Sequence, residues 1–301
     1  MAVAVPYVRE IEFEYGRADR LTPLIRRVIA NNPGGFTYTG TGTYIVGNGN
    51  VAVIDPGPML DAHLDAILKA VEGETVSHIL ITHTHADHSP LAAPLKALTG
   101  AKTYGFGPHG SGHPGEAVEE DGDMEFAPDV TLRHGDIVAG DGWTMEAVHT
   151  PGHTSNHLCF ALLEEQALFS GDHVMGWSTS VVSPPDGDMK AYMASLRLLL
   201  DRDDAIYWPT HGPAITAPRP HVEAFIAHRQ DRERQILEQL AAGRSHIAEM
   251  VPVMYAAVDK RLYPAAARSV LAHMQHMVGK GEIETDGPPG MASAYRIKER
   301  T

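Results

Sequence analysis

The chain has 301 residues, 43% of them hydrophobic and 21% charged, with a formal net charge of −14. A single cysteine excludes a disulfide framework and fits a reducing compartment, so a cytoplasmic location is expected. The acidic balance disfavours non-specific binding to a phosphate backbone, no apolar run approaches membrane-spanning length, and residues 1–10 show no basic leader ahead of an apolar core.

In chain order, Val8, Glu10, Glu12 and Glu14 alternate with Arg9, Ile11, Phe13 and Tyr15, which predicts a half-buried strand. A short apolar segment over 24–30 leads into the turn cluster Asn31-Asn32-Pro33-Gly34-Gly35. Residues 41–47 and 51–55 predict a hairpin through Asn48-Gly49-Asn50. Leu64, Ile67, Leu68 and Val71 recur at helical spacing, and Gly73 closes that helix. Ile79, Leu80 and Ile81 form an apolar strand, and 89–98 predicts a helix. Residues 105–126 are rich in Gly, His and acid without periodicity, and read as a mobile lid. Strands follow over 144–149, 157–163 and 167–170, then a helix over 189–200 and a last strand over 205–208.

Prolines 213, 218 and 220 mark a linker, after which the chain turns helical. Phe225, Ile226, Ile236, Leu237 and Leu240 lie on one helix, stopped by Gly243. Further helices are predicted over 245–257 and 264–278, and 282–285 pairs with 294–297 as a hairpin. The division expected is therefore a catalytic domain, 1–220, and a smaller domain, 221–301, of three helices and a two-stranded wing.

The chemistry concentrates after the 79–81 strand, where His83, His85, Asp87 and His88 fall within six positions. A helix would put His83 and His88 on different faces. A turn at a strand end can send His83 and His85 one way and Asp87 and His88 another, which suits two adjacent divalent ions better than one. Imidazole with carboxylate suits zinc, and also manganese or iron. Three more ligand-type residues sit just past strand ends: His153 in Thr150-Pro151-Gly152-His153, Asp172 in Ser170-Gly171-Asp172, and His211 in Thr210-His211-Gly212. His157 is expected in the core or behind the ligands, His173 behind them, and His109 and His113 on the solvated loop. Cys159 reads as core packing, and no Ser-His-Asp or Cys-His nucleophile stands out.

His83-x-His85-x-Asp87-His88 resembles the HxHxDH signature of the metallo-β-lactamase fold superfamily. Within it, Asn32-Pro33-Gly34-Gly35-Phe36-Thr37, residues 40–47, Ile54-Asp55-Pro56-Gly57 and His228-Arg229-x-x-Arg232-Glu233-x-Gln235-Ile236-Leu237 are similar to the β-lactamase-like protein 2 subfamily. The resemblance implies an α/β (α+β) fold, an αββα sandwich with a C-terminal winged-helix domain. It implies two Zn2+, with Mn2+ or Fe as alternatives. One ion takes His83, His85 and His153, the other Asp87, His88 and His211, and Asp172 bridges them. It implies a hydrolase in which a metal-bound hydroxide attacks an ester, thioester or lactone carbonyl, with Asp87 or Asp172 as catalytic proton acceptor. The best-known metallo-β-lactamases carry Cys where Asp172 stands, and flavodiiron proteins carry Glu where His85 stands. Asp172 instead resembles the glyoxalase II, ribonuclease-like and lactonase branches. The subfamily's usual Asn is Gly42 here.

Members with this winged helix include a single-stranded-RNA endonuclease and carrier-protein thioesterases. A small-molecule or carrier-bound acyl substrate is therefore the first expectation, RNA the alternative, and a non-enzymatic winged-helix nucleic-acid binder the third. Arg229, Arg232, Arg234, Arg244, Lys260, Arg261 and Arg268 offer a basic face, but Asp231, Glu233 and Glu238 stand where they can pair with it. The winged helix is expected to cap the active site or to make a homodimer contact. Met175, Trp177, Val181, Val182 and Tyr192 are expected to form an apolar substrate wall.

Overall fold

The structure is a computed structural model that describes residues 4–111 and 122–299. Its first sheet has seven strands in sequence order: β1 (Ala18–Arg20), β2 (Ile25–Ile29), β3 (Gly42–Asn48), β4 (Asn50–Ile54), β5 (Thr75–Leu80), β6 (Lys102–Gly105) and β7 (Val130–Thr131). Helices α1 (Asp61–Ala70) and α2 (Ala92–Thr99) make the crossovers from β4 to β5 and from β5 to β6, which run parallel. The second sheet has the order β12-β11-β10-β9-β8, from β8 (Ile137–Gly140), β9 (Trp143–His149), β10 (Leu158–Leu162), β11 (Ala167–Gly171) and β12 (Ile206–Pro209). Helix α3 (Met189–Leu200) carries the chain from β11 to the parallel β12.

Side-chain alternation along each strand builds four layers. Tyr44, Val46, Ile54 and Leu80 of the first sheet meet Trp143, Met145, Leu158, Phe160 and Phe169 of the second in the central core. The opposite faces of the same strands, Ile45, Val53 and Ile79, pack on Ile67, Val71 and Leu95 of the first helical layer. Val148, Cys159, Ala161 and Leu168 pack on Met189, Met193, Leu196 and Leu199 of α3. Because β4, β10 and β11 are covered on both faces, they read as nearly unbroken apolar runs.

The C-terminal part comprises α4 (Pro218–Ala241), α5 (Ile247–Met254), α6 (Tyr263–Gly279) and the antiparallel pair β13 (Ile283–Thr285) and β14 (Tyr295–Ile297). It is the expected three helices and wing. Two features differ from the expectation. Pro218 and Pro220 do not sit in a linker but in the first turn of α4, where a missing N–H costs no intrahelical bond. Val222 and Phe225 of α4 and Ala272 of α6 join the core of the α3 layer, so the helix that opens this part is built into the sandwich.

Residues 8–15 do not form the predicted strand. No strand lies alongside them to take their backbone groups. They cross the loops at one end of the sandwich instead, with Val8 N donating to Gly176 O (2.9 Å), Tyr15 Oη donating to Thr39 O (2.8 Å) and Tyr38 Oη donating to Arg9 O. The two arms of the expected 105–126 lid are tied down: Asn156 Nδ2 donates to Gly107 O (3.2 Å) and Asp123 N donates to Thr84 O (2.7 Å). The middle of that segment, with His113, lies outside the described residues. No described helix is long and apolar enough to cross a membrane.

Between α4 and α6, Glu233 accepts from His276 Nδ1 (2.6 Å) and Lys280 Nζ (3.0 Å). Burial alone would raise its pKa, but the close His273 ring, with Nδ1 3.7 Å away, and hydrogen bonds from His276 and Lys280 hold it well below the carboxylate range. Burial pushes the neighbouring His273 down to about 4. Both folded-state values are depressed, so both groups bind protons more readily in the unfolded chain, and both contributions are lost on acidification. The His273 contribution should be full above its unfolded value of about 6.5 and fade towards pH 4; that of Glu233 should fade below its unfolded value of about 4.3. Melting temperature should therefore fall between pH 6.5 and 4, with a shallower fall in His273→Leu. Parallel pH profiles of the two proteins would refute this.

Candidate metal centre

All the strand ends that carry ligand-type residues meet at one edge of the sandwich. The β5 end delivers His83 to His88, the β9 end His153, the β11 end Asp172 and the β12 end His211. The two sheets are laced together there. Leu158 N donates to Thr82 O (2.7 Å) and Gly42 N to Thr210 O (2.8 Å). Gly42 has a packing reason: a Cβ there would stand 3.0 Å from Thr210 O.

Seven residues converge. His85 Nδ1 lies 2.9 Å from His83 Nε2 and 3.1 Å from His153 Nε2. Beside this trio, His211 Nε2 lies 3.1 Å from Asp87 Oδ2 and 3.4 Å from Asp172 Oδ2, and His88 Nε2 lies 3.5 Å from Asp87 Oδ2 and 3.7 Å from Asp172 Oδ1. Asp172 Oδ2 is also 3.8 Å from His153 Nε2, so one carboxylate faces both groups. Three sets of donor atoms lie within 4.8 Å of one another: His83, His85 and His153; His83, His88 and Asp172; and Asp87, His88 and His211. Among the seven, only His85 and Asp87 are more than marginally exposed, which marks the open side.

A divalent cation suits this donor set. His153 Nδ1 faces Val181 O (2.6 Å), His211 Nδ1 faces Gly40 O (3.2 Å) and His88 Nδ1 faces Asp55 Oδ2 (2.9 Å). Those oxygens only accept, so each ring donates from Nδ1 and turns Nε2 inward, the tautomer a metal ligand needs. His88 Nε2 and Asp172 Oδ1 are buried without a hydrogen-bond partner among the described residues. Electrostatics divides the cluster. Burial and the neighbouring imidazoles push His83 well below its ordinary value, and burial with His85 puts His153 at about 4. Against burial, Asp172 and Asp87 raise His211 to about 10, and Asp87, Asp172 and Asp55 hold His88 well up. Burial would raise Asp172 and Asp87, but the facing histidines hold both well below the carboxylate range.

Several supporting residues escaped the sequence. Asp55, fully buried, is the hub: Oδ1 accepts from Thr82 N (2.8 Å), and Oδ2 accepts from Thr82 Oγ1 (2.7 Å), Thr210 Oγ1 (3.1 Å) and His88 Nδ1 (2.9 Å). Its backbone is left-handed, at φ +48°, a strain that non-glycine residues seldom adopt without compensation. An Asp between a β-run and Pro-Gly was the only hint. Thr41 Oγ1 donates to Asp87 Oδ2 (3.0 Å) and accepts from Asn32 Nδ2 (2.9 Å), which gives the Asn31–Gly35 turn a part in the site.

The remaining histidines sort by contact. His157 stands behind the site, its Nε2 accepting from Asp172 N (3.2 Å) and its ring stacked 5.1 Å from His83. His173 is buried beside Tyr192, and none of the three donor sets includes it. His109 is not solvated: it is buried, with Nδ1 2.8 Å from Thr84 Oγ1 and its ring 6.1 Å from His85. Cys159 is core, its thiol pushed up to about 12 by burial. The expected apolar wall is mostly wrong. Met175, Val182 and Tyr192 are buried in the structure, Val182 against α3 and Tyr192 on the inner face of α3 itself, because the chain after Asp172 folds back against that helix. Only Trp177, stacked on Tyr38 at 4.9 Å, and Val181 remain partly exposed.

Gly152 sets the depth of His153. Its φ is +135°, and a Cβ there would stand 2.3 Å from the Tyr192 backbone. Gly152→Ala should therefore push the His153 turn off α3, costing about 3 kcal/mol or more of stability. Thermal melts and metal content read this; a variant with unchanged melting and metal uptake would refute it.

Comparison with known sequences and folds agrees with this geometry. Residues 38–211 match the family described as the metallo-beta-lactamase superfamily, and residues 247–288 match the beta-lactamase associated winged helix domain. A beta-lactamase-like protein 2 homolog of Drosophila melanogaster is 33% identical over 279 residues, 88% of this chain and 91% of that protein. An atrochrysone carboxyl ACP thioesterase of Claviceps purpurea is 34% identical over 229 residues, 75% of this chain and 67% of that one. A beta-lactamase domain protein from Burkholderia ambifaria superposes with a TM-score of 0.78 over 94% of both chains at 20% identity.

Proposed function

Because this chain belongs to the metallo-β-lactamase superfamily of hydrolases, in the branch that carries a winged helix, we propose that it hydrolyses a carrier-bound or small acyl ester, thioester or lactone at a pair of divalent ions. The observation that carries the reading is Asp172, whose two oxygens face two adjacent groups of inward-turned donors. His83, His85 and His153 would hold one ion, Asp87, His88 and His211 would hold the other, and Asp172 stands where it could serve both. The donors suit zinc, with manganese or iron as alternatives.

When bound, such ions supply Lewis acidity and bring the pKa of water from about 15.7 to near neutral. The chain supplies placement. Val181 O, Gly40 O and Asp55 fix three imidazoles in the tautomer that presents Nε2. Asp87 lies on the open side, with the Thr41 hydroxyl on Oδ2, and would be placed to take the proton released during attack. Asp172, 7% exposed, stays ionised between the two groups and offsets the repulsion between two cations.

The thioesterase among the relatives supports an acyl substrate. The C-terminal charges support it in part. Within the expected basic face, Arg234 pairs with Asp231 and Glu238, Arg261 pairs with Asp259 and Arg229 is buried, so three of its seven cations are withdrawn from a phosphate backbone, while Arg232, Arg244, Lys260 and Arg268 have no carboxylate ion pair among the described residues. The test compares kcat/KM on an acyl-thioester, ester and lactone panel with single-stranded RNA at physiological salt, alongside metal content. Acyl turnover with two metal equivalents is expected. RNA cleavage that vanishes in Asp87→Ala, with no acyl turnover, would overturn the substrate class; saturation at one equivalent would overturn the paired ions.

A further inference from the structure

We propose that Arg229, on α4 and outside the catalytic sandwich's own strands and loops, is a positioning residue for the metal centre that acts through the backbone of residues 180–181. Resting on the metal reading above, the inference assigns the C-terminal part a direct share in the geometry of the site.

Arg229 is 4% exposed. Among the described residues no carboxylate pairs with its guanidinium, and its Nε has no hydrogen-bond partner. Two contacts hold it: one terminal nitrogen donates to Ser180 O, and Cζ lies 5.1 Å from the centroid of the Tyr192 ring. A buried guanidinium without an anion costs several kcal/mol, and an apolar side chain of similar volume would pack there at less cost. What the charge gives in return is a strong, charge-assisted bond to one carbonyl.

That carbonyl adjoins the one that matters. Val181 O, the next along the chain, accepts from His153 Nδ1 at 2.6 Å. The segment that bears it is pinned once more, since Ser180 Oγ donates to His173 O at 2.8 Å, a carbonyl that Tyr192 Oη also holds at 2.8 Å. With Arg229 in place, the Ser180 carbonyl cannot rotate, the Val181 carbonyl keeps its aim, and His153 keeps Nε2 turned toward His85 and Asp172. Without it, residues 177–181, of which all but Ser180 are only partly buried, lose the bond that ties their end to α4. Partners of this kind typically change metal affinity ten- to a hundredfold.

The experiment uses the full chain with Arg229→Met, which keeps volume and removes the charge, and Arg229→Lys, which keeps charge but not the planar reach. In the metal-free protein, nitrogen-15 NMR of the His153 ring reports the protonated Nδ1 and its exchange with water. Zinc affinity is read by competition with a chelating dye, and melting is followed with and without zinc. In Arg229→Met the slowly exchanging Nδ1–H should be lost, zinc affinity should fall roughly ten- to a hundredfold, and the zinc-induced rise in melting temperature should shrink. Arg229→Lys should lie between that variant and the native protein. A merely structural role predicts lower melting in both metal states with the Nδ1–H signal and zinc affinity within twofold of native, and that result overturns the proposal. If Arg229→Met fails to fold, Arg229→Lys decides on the same two readouts: weakened supports the proposal, unchanged overturns it. If the native protein takes up no zinc, the metal reading fails, while the ring signal still decides whether Arg229 positions His153.

Discussion

Asp172→Ala should reduce hydrolysis by about a thousandfold or more and remove at least one metal equivalent per chain. The loss should exceed that of any other single ligand substitution, because Asp172 is the one side chain facing both donor groups. Removing a terminal ligand leaves an ion with a vacant position. Removing a carboxylate between two cations leaves them close together without the charge that offset their repulsion. Asp172→Asn tests the second half of that statement, since it keeps the size and one oxygen but not the charge. Both variants should show reduced metal content by elemental analysis after dialysis, and neither should recover turnover when excess zinc is added. Full metal content with native turnover in Asp172→Ala would remove the bridging assignment.

Asp55→Ala should destabilise the protein by about 3–5 kcal/mol, as breaking a buried charged pair does, and should weaken metal binding although Asp55 belongs to none of the donor sets. Four donors lose their acceptor together: Thr82 N, Thr82 Oγ1, Thr210 Oγ1 and His88 Nδ1. The left-handed backbone at φ +48° adds strain that alanine tolerates less well than aspartate. Asp55→Asn keeps the backbone preference and one acceptor, but its amide must point N–H groups at donors. Its stability should fall between the native and alanine forms, and its metal affinity should fall as well. Chemical denaturation with metal titration gives both numbers. An alanine variant with native stability would show that the four donors find other partners.

Candidate ligand positions were legible in the sequence because each stands just past an apolar run, and a strand end leaves little choice about where the next two or three residues go. His83, His85, Asp87, His88, His153, Asp172 and His211 are brought together as the family resemblance implied. What the sequence hid is the layer behind them. Asp55 lies about thirty residues before His88, Val181 about thirty after His153, and Arg229 on another helix; nothing in local pattern connects residues that meet only when two sheets and α4 close around one edge. The strand predicted at 8–15 failed for the complementary reason. Its alternation is real, but a strand needs a neighbour for its backbone groups, and alternation says nothing about neighbours. The apolar wall failed because nearness to Asp172 in sequence was taken as nearness to the open side, whereas the chain after Asp172 turns back under α3.

The way α4 enters the sandwich bears on how this chain could be shortened. Val222 and Phe225 lie at 0% and 1% exposure against the α3 layer, each just past residue 220, and Ala272 joins them from α6. A fragment ending at residue 220 would keep every donor in the three sets, yet it would uncover Met189, Tyr192 and Met193 and give up about 1.5–3 kcal/mol for each large apolar side chain removed. Such a fragment, expressed by itself, should be prone to clump through the bared α3 surface rather than behave as a minimal enzyme. Gene shuffling or domain grafting in this branch would then do best to treat the winged helix and the sandwich as one inheritable block, with any junction placed outside that block rather than ahead of α4.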